Sequence, residues 1–396
     1  MQGKKIIVVG CSISGGLFAK RILQLHPNAN ITIYEKMGAD QISKHWTQPV
    51  NGAALNINPN GMSTIKKYDI DLYNQLNAMA NPRLNVKAVS MSSRITKPLF
   101  CVNMLDYAND PGIIIRWNDI IKLIRKPLEN YICYDCAVIH YTHSNGKFDL
   151  IIQHLDEFFT DDCDILIAAD GRFSKIREIY QKPHVVQHNV VNFRLLVPNT
   201  TIHSFGDLTL YYNDQNEKLA RMGVALVKPT EYLNEESIYI FGNFQVDPDF
   251  DKQAWTREDF IRLYHNDQLT KAGQNIMDIV LCNFESIHWA RFQSTDICLK
   301  SLQNDLYFLG DAAHSFPPSL GQGATLAIED AYFVANNLFK SSMNLEKHYQ
   351  RVQHIKYCSE LAAQHLINND LNMEIDFWND KQWLEKMRQI WCFDSF

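Results

Sequence analysis

The chain has 396 residues, 46% hydrophobic and 21% charged, which supplies a large core and excludes disordered, low-complexity and collagen-like readings. Its 38 basic and 44 acidic residues leave a formal charge of -6 with no Lys/Arg stripe, which argues against nucleic acid as a partner. Met1 to Lys5 lead into only four apolar residues, Ile6 to Val9, before Gly10, too short for a secretory leader or a spanning helix; with nine scattered cysteines, an odd number, this predicts a cytoplasmic protein with reduced thiols.

In chain order, residues 4 to 9 read as a buried strand, followed by a Gly/Ser turn and a helix with Leu17, Phe18, Ile22, Leu23 and Leu25 on or near one face. The strand 31 to 34 ends at Glu35 and completes a βαβ unit of about thirty residues. Ile113 to Ile115 and Ile120 to Ile124 suggest a short strand feeding a helix, and 131 to 141 with 148 to 155 read as a hairpin around Ser144-Asn145-Gly146-Lys147. Cys133 and Cys136 form a CxxC, but no second pair follows and the local alternation favours a strand over a metal or redox site. Residues 164 to 169 form another buried strand. Between about 183 and 282, the segments 188 to 197, 207 to 212, 221 to 227 and 237 to 245 predict a separate antiparallel sheet, and Thr256-Arg257-Glu258-Asp259 opens a helix with a capping-box pattern. Leu306 to Leu309 returns to a buried strand, and long helices run from Gly323 almost to the end.

Three motifs carry chemistry. Gly10-Cys11-Ser12-Ile13-Ser14-Gly15 is a GxSxxG variant of the dinucleotide turn, set between strand and helix. The first glycine permits the tight turn, the small Ser12 lets backbone approach a pyrophosphate although its Cβ and hydroxyl crowd that approach, and Gly15 allows close helix–strand packing. Glu35, twenty residues beyond Gly15, stands where a carboxylate accepts from an adenosine ribose, and its charge suits FAD or NAD over NADP. The second motif runs from Cys163 through Asp170-Gly171 to Arg177, and the third is Leu309-Gly310-Asp311-Ala312-Ala313-His314 with Pro317-Pro318 and Gly321-Gln322-Gly323 behind it.

Together these motifs resemble the single-component FAD-dependent aromatic hydroxylases of the para-hydroxybenzoate hydroxylase type, over nearly the whole chain and in the family's order. The resemblance implies an α/β (α+β composite) fold: an FAD-binding, Rossmann-like three-layer domain from residues 1–72, 100–182 and 283–345, an inserted β-sheet substrate domain from 73–99 and 183–282, and a C-terminal helical segment from 346–396. It implies FAD held by Gly10, Ser12, Ser14, Gly15, Glu35, Arg116, Asp170, Asp311, Gly321, Gly323 and Ala324, with Asp170 and Arg177 also handling NADH or NADPH. The implied reaction is hydroxylation of an aromatic or N-heteroaromatic small molecule by O2 through a flavin C4a-hydroperoxide, with Asn51, Arg194 and Pro318 as pocket residues and no metal.

The chain departs from the family at Ser12, which replaces the usual middle glycine and resembles the turn of dihydroxypyridine hydroxylase-like members, at Asn51 where many relatives carry Arg, and at Thr325 where many carry Asn. His314 belongs to the scaffold by this resemblance, and no GxSxG elbow supports a hydrolase. Two other readings stay open: a flavin-dependent reductase or halogenase on the same fold, although the WxWxIP halogenase signature is missing, and an FAD-binding sensor without turnover. In the tail, Phe377, Leu384, Met387 and Trp391 are predicted to share one helical face. From 373 to 396 five acidic residues stand against three basic ones, a balance that favours packing over membrane contact.

Overall fold

The computed structural model describes residues 3–39, 54–92, 97–198, 208–213, 219–230, 235–251, 255–264, 269–302, 305–340 and 343–392. Asn51 and Phe393 lie outside the described residues.

Strand Lys5–Val9 sits at the centre of a five-stranded parallel sheet, between Ile165–Ala168 and Asn30–Tyr34. Leu306–Phe308 and the short Ile132–Cys133 form its edges. The central strands are apolar on both faces because helices cover them, the pattern expected of a buried parallel sheet. One cover is helix Ile13–Leu25, packed between helices Trp117–Arg125 and Gly323–Asn337. The 131 to 155 hairpin is present as Cys136–Ser144 and Lys147–His154, turned at Asn145-Gly146 with positive φ at both residues, and a third strand, Glu157–Cys163, follows it.

The β-rich middle of the chain forms a seven-stranded sheet in the order His288–Thr295, Val185–Pro198, Ser237–Gln245, Ala220–Val227, Leu208–Asn213, Asn85–Ser90, Phe100–Asn103. It is mixed rather than antiparallel throughout, because Leu208–Asn213 runs parallel to Asn85–Ser90. The division read from sequence also needs correcting at two strands. Phe100–Asn103 and His288–Thr295 were expected in the FAD-binding body, and their ladders join the seven-stranded sheet instead. A small sheet of Ala54–Ile57, Gly112–Arg116 and Asn81–Arg83, interleaved in sequence with strands of the larger two, contributes the inner end of the site described below.

Helix Arg257–Tyr264 starts at the anticipated capping box: Thr256 N–H donates to Asp259 Oδ2 at 3.0 Å and Asp259 N–H to Thr256 Oγ1 at 3.2 Å. The tail is helical but not one helix. Asp380 ends Leu371–Asn379 and caps Lys381–Trp391 by accepting from Gln382 N–H at 2.9 Å. Phe377 therefore stands on a different helix from Leu384, Met387 and Trp391, which do bury one face. Among the described residues no helix is long and apolar enough to cross a membrane, no cluster of ligands could hold a metal, and all nine cysteines are free.

Candidate active site

The glycine turn closes tightly onto the next crossover. Gly10 has φ +95°, and a Cβ there would lie 2.4 Å from the Ala169 carbonyl oxygen, so neither its conformation nor its space admits a side chain. Ser12 precedes helix Ile13–Leu25 in the N-cap position, yet its hydroxyl caps no backbone N–H and faces an open cleft with Ser14. Glu35 is buried at the end of its strand. Its Oε2 accepts from Cys11 N–H at 2.8 Å and from Arg125 Nη2 at 2.8 Å, and its Oε1 from Met37 N–H at 3.0 Å. Arg125 also donates from Nε to the Cys11 carbonyl at 2.6 Å, which leaves its buried Nη1 without a hydrogen-bond partner beside Glu35.

The third motif forms the opposite wall. Gly310 adopts φ +58°, and its N–H donates to Asp330 Oδ2 at 2.8 Å. The same oxygen lies 2.7 Å from His314 Nε2, and Asp330 Oδ1 lies 2.8 Å from His348 Nε2. His314 is 1% exposed and outside the cleft lining, so the structure gives it the scaffold role that the resemblance implied. Asp311, by contrast, is exposed in the cleft. Thr325 accepts from Asn58 N–H at 2.9 Å, while Asn58 Nδ2 donates to the carbonyls of Leu320 and Gly321 at 3.1 and 2.9 Å. Asn58, just after the small-sheet strand Ala54–Ile57, thus holds the Leu320 and Gly321 carbonyls of the turn while Thr325 holds the Asn58 backbone.

Arg177 requires a correction. Its guanidinium, 2% exposed, donates to the carbonyls of Ala313 at 3.2 Å and Gln181 at 3.2 Å and to Asp296 Oδ2 at 2.9 Å, so it props the third motif from inside rather than facing a docked nicotinamide. The Arg177→Ala variant is accordingly expected to lose stability by about 1–3 kcal/mol, since two carbonyls lose their donor while Asp296, 38% exposed, is left to solvent. Thermal melting reads this; a variant that melts like wild type but reduces flavin slowly would restore the NAD(P)H role. Asp170 is divided in function: Oδ2 accepts from Lys175 N–H at 2.9 Å, and Oδ1 is buried without a partner. Burial pushes its carboxyl up from the ordinary value.

Arg116 also differs from expectation. Its Nη2 donates to the Glu235 carbonyl at 2.9 Å and to Ser237 Oγ at 3.0 Å, so the guanidinium reaches the seven-stranded sheet instead of the glycine turn. Arg194, on Val185–Pro198, lines the cleft with its Nε donating to Asn192 Oδ1 at 2.8 Å.

The cleft, about 340 Å³, runs from Ser12 and Ser14 past Gly171, Asp311, Gly323 and Ala324 to Arg194. Behind it is a smaller, largely apolar cavity of about 100 Å³ between the seven-stranded sheet, the small sheet and the tail helices. The two share Asn56, Tyr239, Phe241, Pro318 and Gly321 as walls. Phe241 lies flat there because Gly223 on the neighbouring strand has no Cβ, which would meet the ring at 2.1 Å.

Residues 150–343 match the family model described as FAD binding domain. The chain is 21% identical to 6-hydroxynicotinate 3-monooxygenase of Pseudomonas fluorescens over 347 residues, 85% of this chain and 83% of that one. Over most of its length the chain is therefore similar to FAD-dependent monooxygenases, and the matched segment 150–343 is an FAD binding domain. Among solved structures, 2,6-dihydroxypyridine-3-hydroxylase from Arthrobacter nicotinovorans superposes with a TM-score of 0.71 at 14% identity over 93% of each chain. HpxO of Klebsiella pneumoniae, complexed with FAD and uric acid, gives 0.70 at 16% identity over 98% of this chain and 94% of that one.

The residues present fit FAD. Two helices, Ile13–Leu25 and Gly323–Asn337, begin at the cleft, where their free N–H groups and dipoles favour a pyrophosphate. A Cβ on Gly323 would meet nothing within 4 Å, leaving that helix start open to a ligand, and the Ser12 hydroxyl and the Arg172 Nε are uncommitted donors. Arg172, Arg125, Asn56, Tyr239 and Phe241 were not singled out from the sequence. Arg172 sits inside the second motif, and Tyr239 and Phe241 share a face of a predicted strand by their spacing of two, so both signals were present; Arg125 carried none.

Proposed function

We propose that this monooxygenase hydroxylates an aromatic or N-heteroaromatic small molecule, bound in the inner cavity, at the expense of NADH or NADPH and O2. The observation that carries the reading is the shared wall: a cavity of ring size abuts the cleft that fits FAD, with Asn56, Tyr239, Phe241, Pro318 and Gly321 lining both. Bound FAD supplies the electron transfer from NAD(P)H and the activation of O2. The chain's own tasks are binding, orientation and exclusion of water. Gly10, Ser12, Ser14 and Gly15 would hold the pyrophosphate, Glu35 with Arg125 the adenosine ribose, and Asp311 the ribityl hydroxyls. Gly323 and Ala324 would face the ring with backbone N–H groups, Gly321, whose N–H is held by the Pro318 carbonyl, would border it, and Gly171 and Arg172 line the same cleft beside Asp170. Tyr239 and Phe241 would orient the substrate ring, while Pro318 lines both spaces and Arg194 lines the cleft.

On this reading the FAD-binding body is residues 1–72, 104–182 and 296–345, with strands 100–103 and 288–295 moved to the substrate sheet. A cytoplasmic location accords with nine free cysteines. The test is oxidation of NADH and NADPH against a panel of phenols and hydroxypyridines, with isotopic oxygen traced into product. Flavin reduction without oxygen incorporation would favour a reductase, and ring binding with no turnover a sensor. Asp311→Ala removes a charged acceptor and is expected to weaken FAD binding by roughly 1–3 kcal/mol; recovery of FMN, or of no flavin after reconstitution, would contradict the cofactor assignment.

A further inference from the structure

We infer that the two tail helices set the size limit of the substrate cavity, and that Trp378 and Trp391 are the residues that determine which ring systems enter. This rests on the reading that the inner cavity receives the substrate. Most of its wall is built by strands, with Val86, Val102 and Leu210 from the seven-stranded sheet and Ile114 from the small one. Trp378 and Trp391 complete it from outside both sheets, one from Leu371–Asn379 and the other from Lys381–Trp391.

Neither indole is free to swing aside. Trp378 is stacked on Phe100 at 5.7 Å with Phe377 edge-on at 5.8 Å, and Trp391, 5% exposed, packs edge-on against Tyr107 at 6.5 Å.

The helices that carry them are pinned by buried charge. Glu374 accepts from Arg221 Nη1 at 2.9 Å through Oε1, and its Oε2 lies 2.6 Å from His365 Nε2, with all three residues under 5% exposed. Arg351 donates to both oxygens of Glu329, at 2.9 and 2.8 Å, and to the Ile390 carbonyl at 3.0 Å, next to Trp391. Glu329 in turn accepts from Asn60 Nδ2 at 2.6 Å, and Asn60 Nδ2 also donates to Gln322 of the Gly-Gln-Gly turn at 3.2 Å. The wall thus has a fixed position relative to the cleft. A rigid apolar wall discriminates by size, because a ring that is too large cannot displace it and a small one leaves contacts unmade.

The experiment uses full-length, FAD-loaded protein and reads ligand binding by perturbation of the flavin absorbance, with one-ring probes (phenol, 3-hydroxypyridine) and two-ring probes (2-naphthol, 4-hydroxyquinoline). Trp378→Ala and Trp391→Ala are expected to improve the two-ring over one-ring affinity ratio at least tenfold, and Trp378→Phe to restore much of the original preference. FAD retention is measured in parallel and should be unchanged. Should an alanine variant fail to fold, Trp391→Leu keeps the apolar contact and reads the same ratio. Wild-type protein that binds one-ring probes, with variants that keep its size ratio, overturns this inference alone. Wild-type protein that holds FAD and binds no ring of either size overturns the substrate reading and this inference with it.

Discussion

A chain truncated after Asn372 is expected to lose its cooperative fold and to bind a hydrophobic dye strongly. The deletion removes Trp383, Leu384, Met387, Ile390 and Trp391, each less than 9% exposed and part of the core that also includes Ile7, Leu166 and Phe308 of the parallel sheet. Burying such a side chain contributes about 1.5–3 kcal/mol, so five of them contribute roughly 8–15 kcal/mol as an upper bound. That equals the whole net stability of an ordinary domain, about 5–15 kcal/mol. The deletion also strips Arg221 of Glu374 and leaves a guanidinium at 4% exposure without its counter-charge, which costs about 3–5 kcal/mol more. Thermal melting and dye binding of the two chains decide it. A truncated chain that melts within a few degrees of the full one, or that leaves a membrane fraction the full chain occupied, would make the tail a peripheral anchor.

How far the sequence reaches depends on how local the determinant is. The βαβ start was legible because each part of it is fixed by neighbours: four apolar residues, a glycine at φ +95°, and Glu35 at the end of the next strand. The seven-stranded sheet was legible as strands but not as pairing, since the parallel ladder between Asn85–Ser90 and Leu208–Asn213 joins segments more than a hundred residues apart. Arginines were the least legible. Arg116 and Arg177 stand at family-like motif positions, and a long side chain with five donors goes wherever buried acceptors are, here Ser237 and the carbonyls of Glu235, Ala313 and Gln181. Spacing assigns such a residue to a helix or a strand; it does not say which carbonyls await it. For the same reason the aromatic tail read correctly as a packing face and gave no sign of lining the cavity, because the missing partner surface comes from Phe100 and Tyr107.

Asp330→Ala is expected to destabilise the protein by about 3–5 kcal/mol and to weaken FAD retention, because one buried carboxylate serves His314, His348 and the Gly310 N–H. Its loss frees the Gly310-Asp311 turn that borders the cleft. The pH dependence separates this from a simple cavity. Burial alone would raise the Asp330 carboxyl, but His314 and His348 outweigh it and hold the group well below the carboxylate range. Burial alone would lower His314, and the Asp330 charge outweighs that and raises it. A depressed acid contributes stability that is present above its unfolded value, about 3.9, and is lost as pH falls toward the folded one. A raised histidine contributes stability that is complete below its unfolded value, about 6.5, and is lost as pH rises through the folded one. The cluster therefore stabilises most between about pH 4 and 6.5. In Asp330→Asn the decline in melting temperature above pH 6.5 should flatten, because His314 no longer gains a counter-charge on folding. The acid limb should flatten only in part, since Glu374, held at about 2 against burial by His365 and Arg221, still titrates there. Melting curves from pH 3 to 9 test both limbs. An Asp330→Asn protein that keeps the wild-type slope above pH 6.5 would show that His314 does not depend on Asp330 for its charge.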